Sequence, residues 1–172
     1  MAAGRSVFLD TTVLSNFAST ASTVWLAAGL RRPAVVPTVR EELEAGRTRG
    51  NEFLDEAIRA IGSRLELLEP TTSKDVRVIR ESLDPGEAES LHAAIVYEGT
   101  LATDDAAART IAKERGVPVT GSIGLLVLGI AREKIDAETA ARWLDTWQSE
   151  RSYYSPVDGL QTCRRPSDVF EQ

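Results

Sequence analysis

The stretch Val7-Phe8-Leu9-Asp10-Thr11-Thr12 decides the fold, because a short apolar run stops at a carboxylate. Its three apolar residues predict a buried strand, and the residues after Asp10 predict the start of a helix. Similar short runs at 34–36, 65–68, 100–103 and 117–119 predict four more strands. Pro118 removes a backbone donor from the last run and favours a place at the edge of the sheet.

Longer stretches with helical periodicity separate these strands. They lie at 12–19, 22–30, 38–46, 51–62, 73–83, 86–98, 105–115, 122–133 and 137–149. Strands that alternate with helices, and whose apolar runs are continuous, are typical of a parallel sheet covered on both faces. We therefore predict a three-layer α/β/α domain over residues 1–150, with a central parallel sheet of about five strands. An irregular tail follows over residues 151–172, where periodicity is lost.

Composition limits the classes of protein that remain. The 172 residues include 42% hydrophobic and 27% charged side chains, which is ordinary for a globular domain. No apolar run is long enough to span a membrane, and the amino terminus lacks the apolar region of a signal peptide. The lone Cys163 excludes a disulfide framework within the chain. We expect a soluble cytoplasmic protein.

The net charge of −6 argues against a generic nucleic-acid-binding protein, which is usually basic. That argument weakens if several carboxylates converge on divalent cations, because bound metal cancels their local charge. Asp10 ends the first predicted strand, and Asp104 and Asp105 end the fourth. If those two strands are neighbours, their carboxyl ends bring the carboxylates together, and such an arrangement is costly without a cation.

Two helix starts supply further carboxylates. Thr38 and Glu41 fit a capping box, so helix capping accounts for Glu41, and Glu42 stays a candidate for the site. In the next helix start, 85–94, Glu89 lies on the flank of the apolar face, and Ser90 is predicted to face solvent. Glu87 and Glu89 both lie at this helix start, where a favourable interaction with the helix dipole is enough to explain either acid.

Taken in order, these segments resemble the four acidic motifs of PIN-domain nucleases. The resemblance covers roughly residues 6–135 and is carried by 7–14 (VFLDTTVL), 36–43 (VPTVREEL), 86–89 (GEAE) and 101–105 (LATDD). The segments 85–89 and 119–126 resemble one prokaryotic subgroup of the family. The family implies a parallel α/β sheet and metal-dependent hydrolysis of RNA, often by the toxin of a toxin–antitoxin pair.

The resemblance also implies a set of site residues. Carboxylates matching Asp10, Glu42, Glu89 and Asp105 would surround Mg²⁺ or Mn²⁺, with Asp104 the alternative to Asp105. Asp10 would be the central ligand, Asp105 and Glu89 would complete the metal shell, and Glu42 would bind through water or help to orient the nucleophile. Water activated by the metal would attack in line and leave a 5′-phosphate and a 3′-hydroxyl.

Other residues have weaker functional interpretations. Thr12 and Thr103 are candidates for hydrogen bonds to site carboxylates or to substrate, and Asn16 is one for a position facing the cleft. Arg109, four residues after Asp105, is a candidate for an ion pair with that acid or for phosphate contact. His92 is expected to be a buried structural histidine. The stripe of Trp143 and Trp147 in the last helix favours core packing, while leaving a homodimer open.

Two alternative functions remain at this level. A phosphatase resembling the haloacid dehalogenases would also place an aspartate at the end of the first strand, but its chemistry needs a second acid at position 12, which is threonine. A non-catalytic module that binds nucleic acid or a protein partner would keep the fold and lose the metal. The partners expected under the leading interpretation are an RNA substrate, a cognate antitoxin and a second copy of the chain, with no membrane.

Overall fold

A computed structural model describes residues 5–71 and 75–153 of the chain. It contains a five-stranded, all-parallel sheet with strand order β3-β2-β1-β4-β5. The strands are β1 (Val7–Leu9), β2 (Pro33–Val35), β3 (Glu66–Leu67), β4 (Thr100–Ala102) and β5 (Val119–Thr120). This confirms the predicted three-layer α/β/α class, and β5 lies at the edge of the sheet, as Pro118 indicated.

Nine α-helices connect and cover these strands within the described residues. They are α1 (Thr11–Ser19), α2 (Thr23–Gly29), α3 (Pro37–Thr48), α4 (Asp55–Ala60), α5 (Asp75–Arg80), α6 (Pro85–Val96), α7 (Ala106–Glu114), α8 (Ser122–Ala131) and α9 (Ala137–Arg151). A short 3₁₀ turn, Glu52–Leu54, precedes α4. Within the described part of the chain, no helix is both long and apolar enough to cross a bilayer.

The register of the central strands positions the site. β1 pairs with β4 so that Leu9 lies opposite Ala102, and the Asp10 amide donates to the Ala102 carbonyl at 3.1 Å. Both strands therefore end at the same level, and the residue after each end lies at the carboxyl edge of the sheet. Leu9 and Ala102 are fully buried, so this edge is held by the core.

An aromatic cluster attaches the last helix to α1. Trp147 is fully buried, and its ring meets that of Phe17 edge to face at a centroid distance of 5.0 Å. Trp143 contacts Trp25 at 5.2 Å in a similar arrangement. The expected core packing of the tryptophan stripe is confirmed.

Two local expectations were wrong. The capping box of Thr38 and Glu41 does not form, because Val36, not Thr38, is the N-cap of α3 and makes no side-chain hydrogen bond. The Thr38 amide donates instead to Glu89 of another helix, and Glu41 is exposed. Ser90 is fully buried rather than solvent-facing, because α6 packs against neighbours on more than one side.

His92 is buried, as expected, with Nε2 2.7 Å from the Thr71 carbonyl oxygen. Residues 154–172 of the predicted tail, including Cys163, lie outside the described residues, and the boundary at 150 stays a prediction.

Candidate active site

Asp10 is the innermost carboxylate at the carboxyl edge of the sheet. It is 1% exposed and is the N-cap of α1, where Oδ1 accepts a hydrogen bond from the Val13 amide at 2.9 Å. Its Oδ2 accepts a hydrogen bond from the Thr103 hydroxyl. Burial raises the pKa of Asp10 to about 7, with smaller contributions in the same direction from the charges of Asp104 and Glu87.

Thr103 joins the two strand ends. Its side chain is fully buried, and its hydroxyl donates to Asp10 while it accepts from the Asp105 amide at 3.1 Å. One oxygen atom therefore fixes both the Asp10 carboxylate and the backbone at Asp105. Of the two partners expected for Thr103, a site carboxylate or substrate, its hydroxyl contacts the carboxylate of Asp10, which makes Thr103 a candidate positioning residue.

Asp104 and Asp105 are adjacent in sequence but differ in their hydrogen-bond partners. Asp105 is the N-cap of α7, and its Oδ1 accepts from the Ala108 amide at 2.7 Å. The other oxygen, Oδ2, accepts no hydrogen bond from the described residues. Asp105 therefore presents an oxygen to the edge of the sheet, where a cation or a substrate group is able to reach it.

Asp104 takes part in a hydrogen-bond network that joins α1, α8 and the end of the described chain. Its Oδ1 accepts from the Ser122 amide at 2.8 Å and from the Tyr153 hydroxyl at 3.2 Å. Its Oδ2 accepts from the Ser122 hydroxyl at 2.5 Å and from Asn16 Nδ2 at 3.2 Å. With four donors already on its two oxygens, Asp104 is suited to hold the start of α8 in place.

Glu42 and Glu89 brace the starts of two helices reciprocally. Glu42 on α3 accepts from the Gly86 amide at the start of α6 at 2.8 Å, and also from the Thr11 hydroxyl. Glu89 on α6 accepts from the Thr38 amide at the start of α3 at 2.8 Å. Each carboxylate therefore satisfies an amide donor that the other helix leaves without an intrahelical partner.

Glu87 is the acid that sequence reasoning passed over. It is half-buried at the start of α6, and Oε2 accepts from the Asp84 amide at 3.3 Å, as in a capping box. Burial raises its pKa to about 7, and the negative charges of Asp105, Asp84 and Glu42 add to the shift. Its charge also raises the pKa of Asp10. The helix dipole accounted for Glu87 in the sequence, and no local pattern showed that it lies near the other acids.

The two remaining candidates flank this group differently. Arg109 donates from Nη1 to the Thr103 carbonyl oxygen at 3.1 Å. Burial raises the pKa of Asp104, and the hydrogen bonds from Ser122 and Tyr153 and the positive charge of Arg109 offset only part of that shift. Thr12 is exposed on the first turn of α1. Its neighbour Thr11, which the sequence did not single out, makes the contact with Glu42.

The fit of a divalent cation to this site rests on its electrostatics. Within the described residues, no group of three or more histidine, cysteine or acidic side chains is already arranged to enclose a metal ion. Asp10 and Glu87 nevertheless have pKa values raised to about 7, in part by neighbouring carboxylates. Mg²⁺ commonly takes one or two protein carboxylates and completes its shell with water and phosphate. The residues present therefore fit an open site of that kind.

Comparison with family models decides the assignment. A model described as the PIN domain matches residues 6–162, nearly the whole chain. The chain belongs to the PIN-domain family. PIN domains are generally nucleases and typically use divalent metals, so the fold is a nuclease fold, and the haloacid dehalogenase interpretation gives way to this assignment. A search of curated proteins found no match to this chain.

Proposed function

We propose that this PIN domain is a divalent-metal-dependent endoribonuclease. The observation that carries the proposal is the buried carboxylate of Asp10, at the junction of β1 and β4, with a pKa raised to about 7 among further acids. At the exposed N-cap Asp136, by contrast, the pKa is lowered by bonds to Thr139. Raised carboxylate pKa values in a cluster are typical of functional sites.

Asp10, Asp105 and Glu87 are the residues that we propose to hold the cation. Asp10 is central, Asp105 offers an oxygen that accepts no hydrogen bond from the described residues, and Glu87 contributes the third charge. When bound, Mg²⁺ or Mn²⁺ supplies an activated water and stabilises the leaving 3′ oxygen, giving a 5′-phosphate and a 3′-hydroxyl. Glu87 thereby takes the place that the sequence analysis predicted for Glu89.

The remaining residues of the site act by orientation. Thr103 holds Asp10 in one rotamer by donating to Oδ2, and it fixes the Asp105 backbone through its acceptor. Glu42 and Glu89 hold the starts of α6 and α3 together, which sets the position of Glu87. In this proposal Asp105 is the fourth acid of the family pattern, and Asp104 is a positioning residue.

RNA is the proposed substrate class, and Arg109 and Thr12 are the proposed contacts beside the site. A toxin role with a cognate antitoxin, a homodimer and action in the cytoplasm all follow the family pattern. Growth arrest on expression of the wild-type chain, absent for Asp10→Asn, tests the toxin role. Equal growth on expression of the two proteins would refute the toxin role.

Cleavage of an end-labelled single-stranded RNA tests the enzymatic proposal. We expect Mn²⁺-dependent cutting by the wild-type protein, no cutting in EDTA, and a loss of about 100-fold or more in Asp10→Asn. Asp136→Asn is the matched control, because it alters an aspartate N-cap far along the chain on α9. A DNA oligonucleotide of the same sequence measures the preference for RNA.

The chemistry of the new ends provides a second readout. Metal-assisted attack by water predicts a 5′-phosphate that permits ligation and a 3′-hydroxyl that permits extension. Cutting that persists in EDTA and in Asp10→Asn, or products ending in a 2′,3′-cyclic phosphate, would refute the proposed mechanism.

A further inference from the structure

Arg151, the last residue of α9, carries a charge that lacks a carboxylate partner among the described residues. Its side chain is half-buried, and burial lowers its pKa. Nε donates to Asn16 Oδ1 at 3.1 Å, and the guanidinium carbon lies 5.1 Å from the centre of the Phe53 ring. In the described part of the chain, no acidic oxygen lies within ion-pair distance of it, although the protein is rich in acids.

Asn16 links this guanidinium to the acidic end of the sheet. Asn16 is 1% exposed, and its Nδ2 donates to Asp104 Oδ2 at 3.2 Å and to the Ser122 hydroxyl at 3.1 Å. Because both of these partners accept, the amide oxygen of Asn16 is turned towards Arg151. Asn16 lies six residues beyond Asp10 in the sequence, on the helix that Asp10 caps, which corresponds to about 9 Å along the axis.

The remaining donors of Arg151 suit a phosphate. Its Nε is occupied by Asn16 and its face by Phe53, so the two terminal NH₂ groups remain as donors that bond to no described residue. A planar guanidinium held by packing loses little conformational entropy when it binds a phosphate through two parallel hydrogen bonds. A half-buried cation without a counter-ion is costly, and an incoming anion relieves that cost.

We propose that Arg151 binds a backbone phosphate of the RNA on a nucleotide next to the cleaved bond, which positions the strand over the acidic site. This inference rests on the proposed ribonuclease function and adds a substrate-contacting residue from the last helix of the sequence, α9. The sequence separation of 135 between Arg151 and Asn16 explains why no local motif reveals it.

RNA binding in the Asp10→Asn background tests the inference without cleavage. The anisotropy of a fluorescein-labelled single-stranded RNA should show about 10-fold weaker binding for Asp10→Asn/Arg151→Gln than for Asp10→Asn alone. The slope of log Kd against log salt should fall by about 0.7, the value for one phosphate contact on a single strand. Arg151→Lys should keep the slope and lose part of the affinity, because it retains the charge without the planar pair of donors.

Arg142→Gln is the matched control, since Arg142 is an exposed arginine on the same helix that bonds to the Thr139 hydroxyl. It should leave both the Kd and the slope unchanged. In the cleaving protein, Arg151→Gln should raise KM with little change in kcat.

Four results would overturn the inference. Unchanged binding in Arg151→Gln while the wild-type protein cuts RNA would refute the inference alone. Weaker binding with an unchanged salt slope would show a structural role, and an equal effect in Arg142→Gln would show general electrostatics. If neither the wild-type nor the Asp10→Asn protein binds RNA, the proposed function and this inference fail together.

Discussion

Replacing Asp10 by asparagine should stabilise the metal-free protein at alkaline pH. The pKa of Asp10 is raised from 3.8 to about 7 in the folded state, so between these values the native protein holds a proton that the unfolded chain has released. The free energy of unfolding therefore falls as the pH rises through this window. A shift of this size corresponds to about 4 kcal/mol at pH 8, at about 1.4 kcal/mol per pKa unit.

Asparagine removes this cost and retains most of the local structure. Asparagine and aspartate are equally good N-caps, so the bond from the Val13 amide is kept. The Thr103 hydroxyl loses its acceptor, which costs about 1 kcal/mol and leaves a net gain of about 3 kcal/mol at pH 8. For a chain of this length the gain raises the midpoint of thermal unfolding by about 6–12 °C.

Thermal unfolding followed by circular dichroism in EDTA measures the effect from pH 5 to pH 8. The advantage of Asp10→Asn should shrink to about 1 kcal/mol at pH 5, where the wild-type carboxyl is mostly protonated. Asp136→Asn is the matched control, because its N-cap carboxyl has a lowered pKa and its charge is favoured in the fold. Mn²⁺ at pH 8 should raise the wild-type midpoint and leave that of Asp10→Asn unchanged. An Asp10→Asn protein that is no more stable than the wild type at pH 8, or whose advantage is the same at pH 5, would refute the electrostatic reasoning.

Substitutions at four further positions separate positioning from chemistry at the site. Thr103→Val, which removes the hydroxyl between the two strand ends, should lower kcat about 10- to 100-fold in a cleavage assay, whereas Thr103→Ser should retain most of the activity. Asp104→Ala should lower the free energy of unfolding in urea by about 2–4 kcal/mol, because it leaves several hydrogen-bond donors without an acceptor. Asp105→Ala should lower it by only about 1 kcal/mol and abolish cleavage. The reverse pattern would exchange the roles proposed for the two residues. Gly86→Ala should reduce cleavage about 10-fold with a small loss of thermal stability. The added Cβ would lie 2.8 Å from Glu42 Cδ and displace the Glu42 side chain. Full activity of this variant would show that the position of Glu42 is unimportant.

The strand-end acids were predictable because parallel sheets place all carboxyl ends on one side. The apolar runs before Asp10 and Asp104 marked two strands, and the structure makes them neighbours with Leu9 opposite Ala102. The periodicity also located the helices to within a few residues at most ends. These signals are local and follow from burial alone.

Contacts between distant segments were beyond the sequence. The capping box at Thr38 was wrong because Glu89 of α6, 51 residues away, accepts from the Thr38 amide, which the local pattern assigned to the Glu41 side chain. Glu87 was set aside because the helix dipole explains an acid at a helix start, and nothing in the sequence showed that Asp105 lies nearby. A local motif describes the donors and acceptors of a helix end, but tertiary packing chooses which acceptor is used.

The exchange of caps between α3 and α6 affects how mutagenesis of either glutamate should be interpreted. Removing the Glu42 carboxylate uncaps α6, and removing the Glu89 carboxylate uncaps α3, so each truncation loosens the helix that carries the other acid. Lost activity in an alanine variant of either residue is therefore ambiguous between missing chemistry and a displaced scaffold. Glutamine variants, which keep an acceptor oxygen and lose only the charge, distinguish the two causes at both positions.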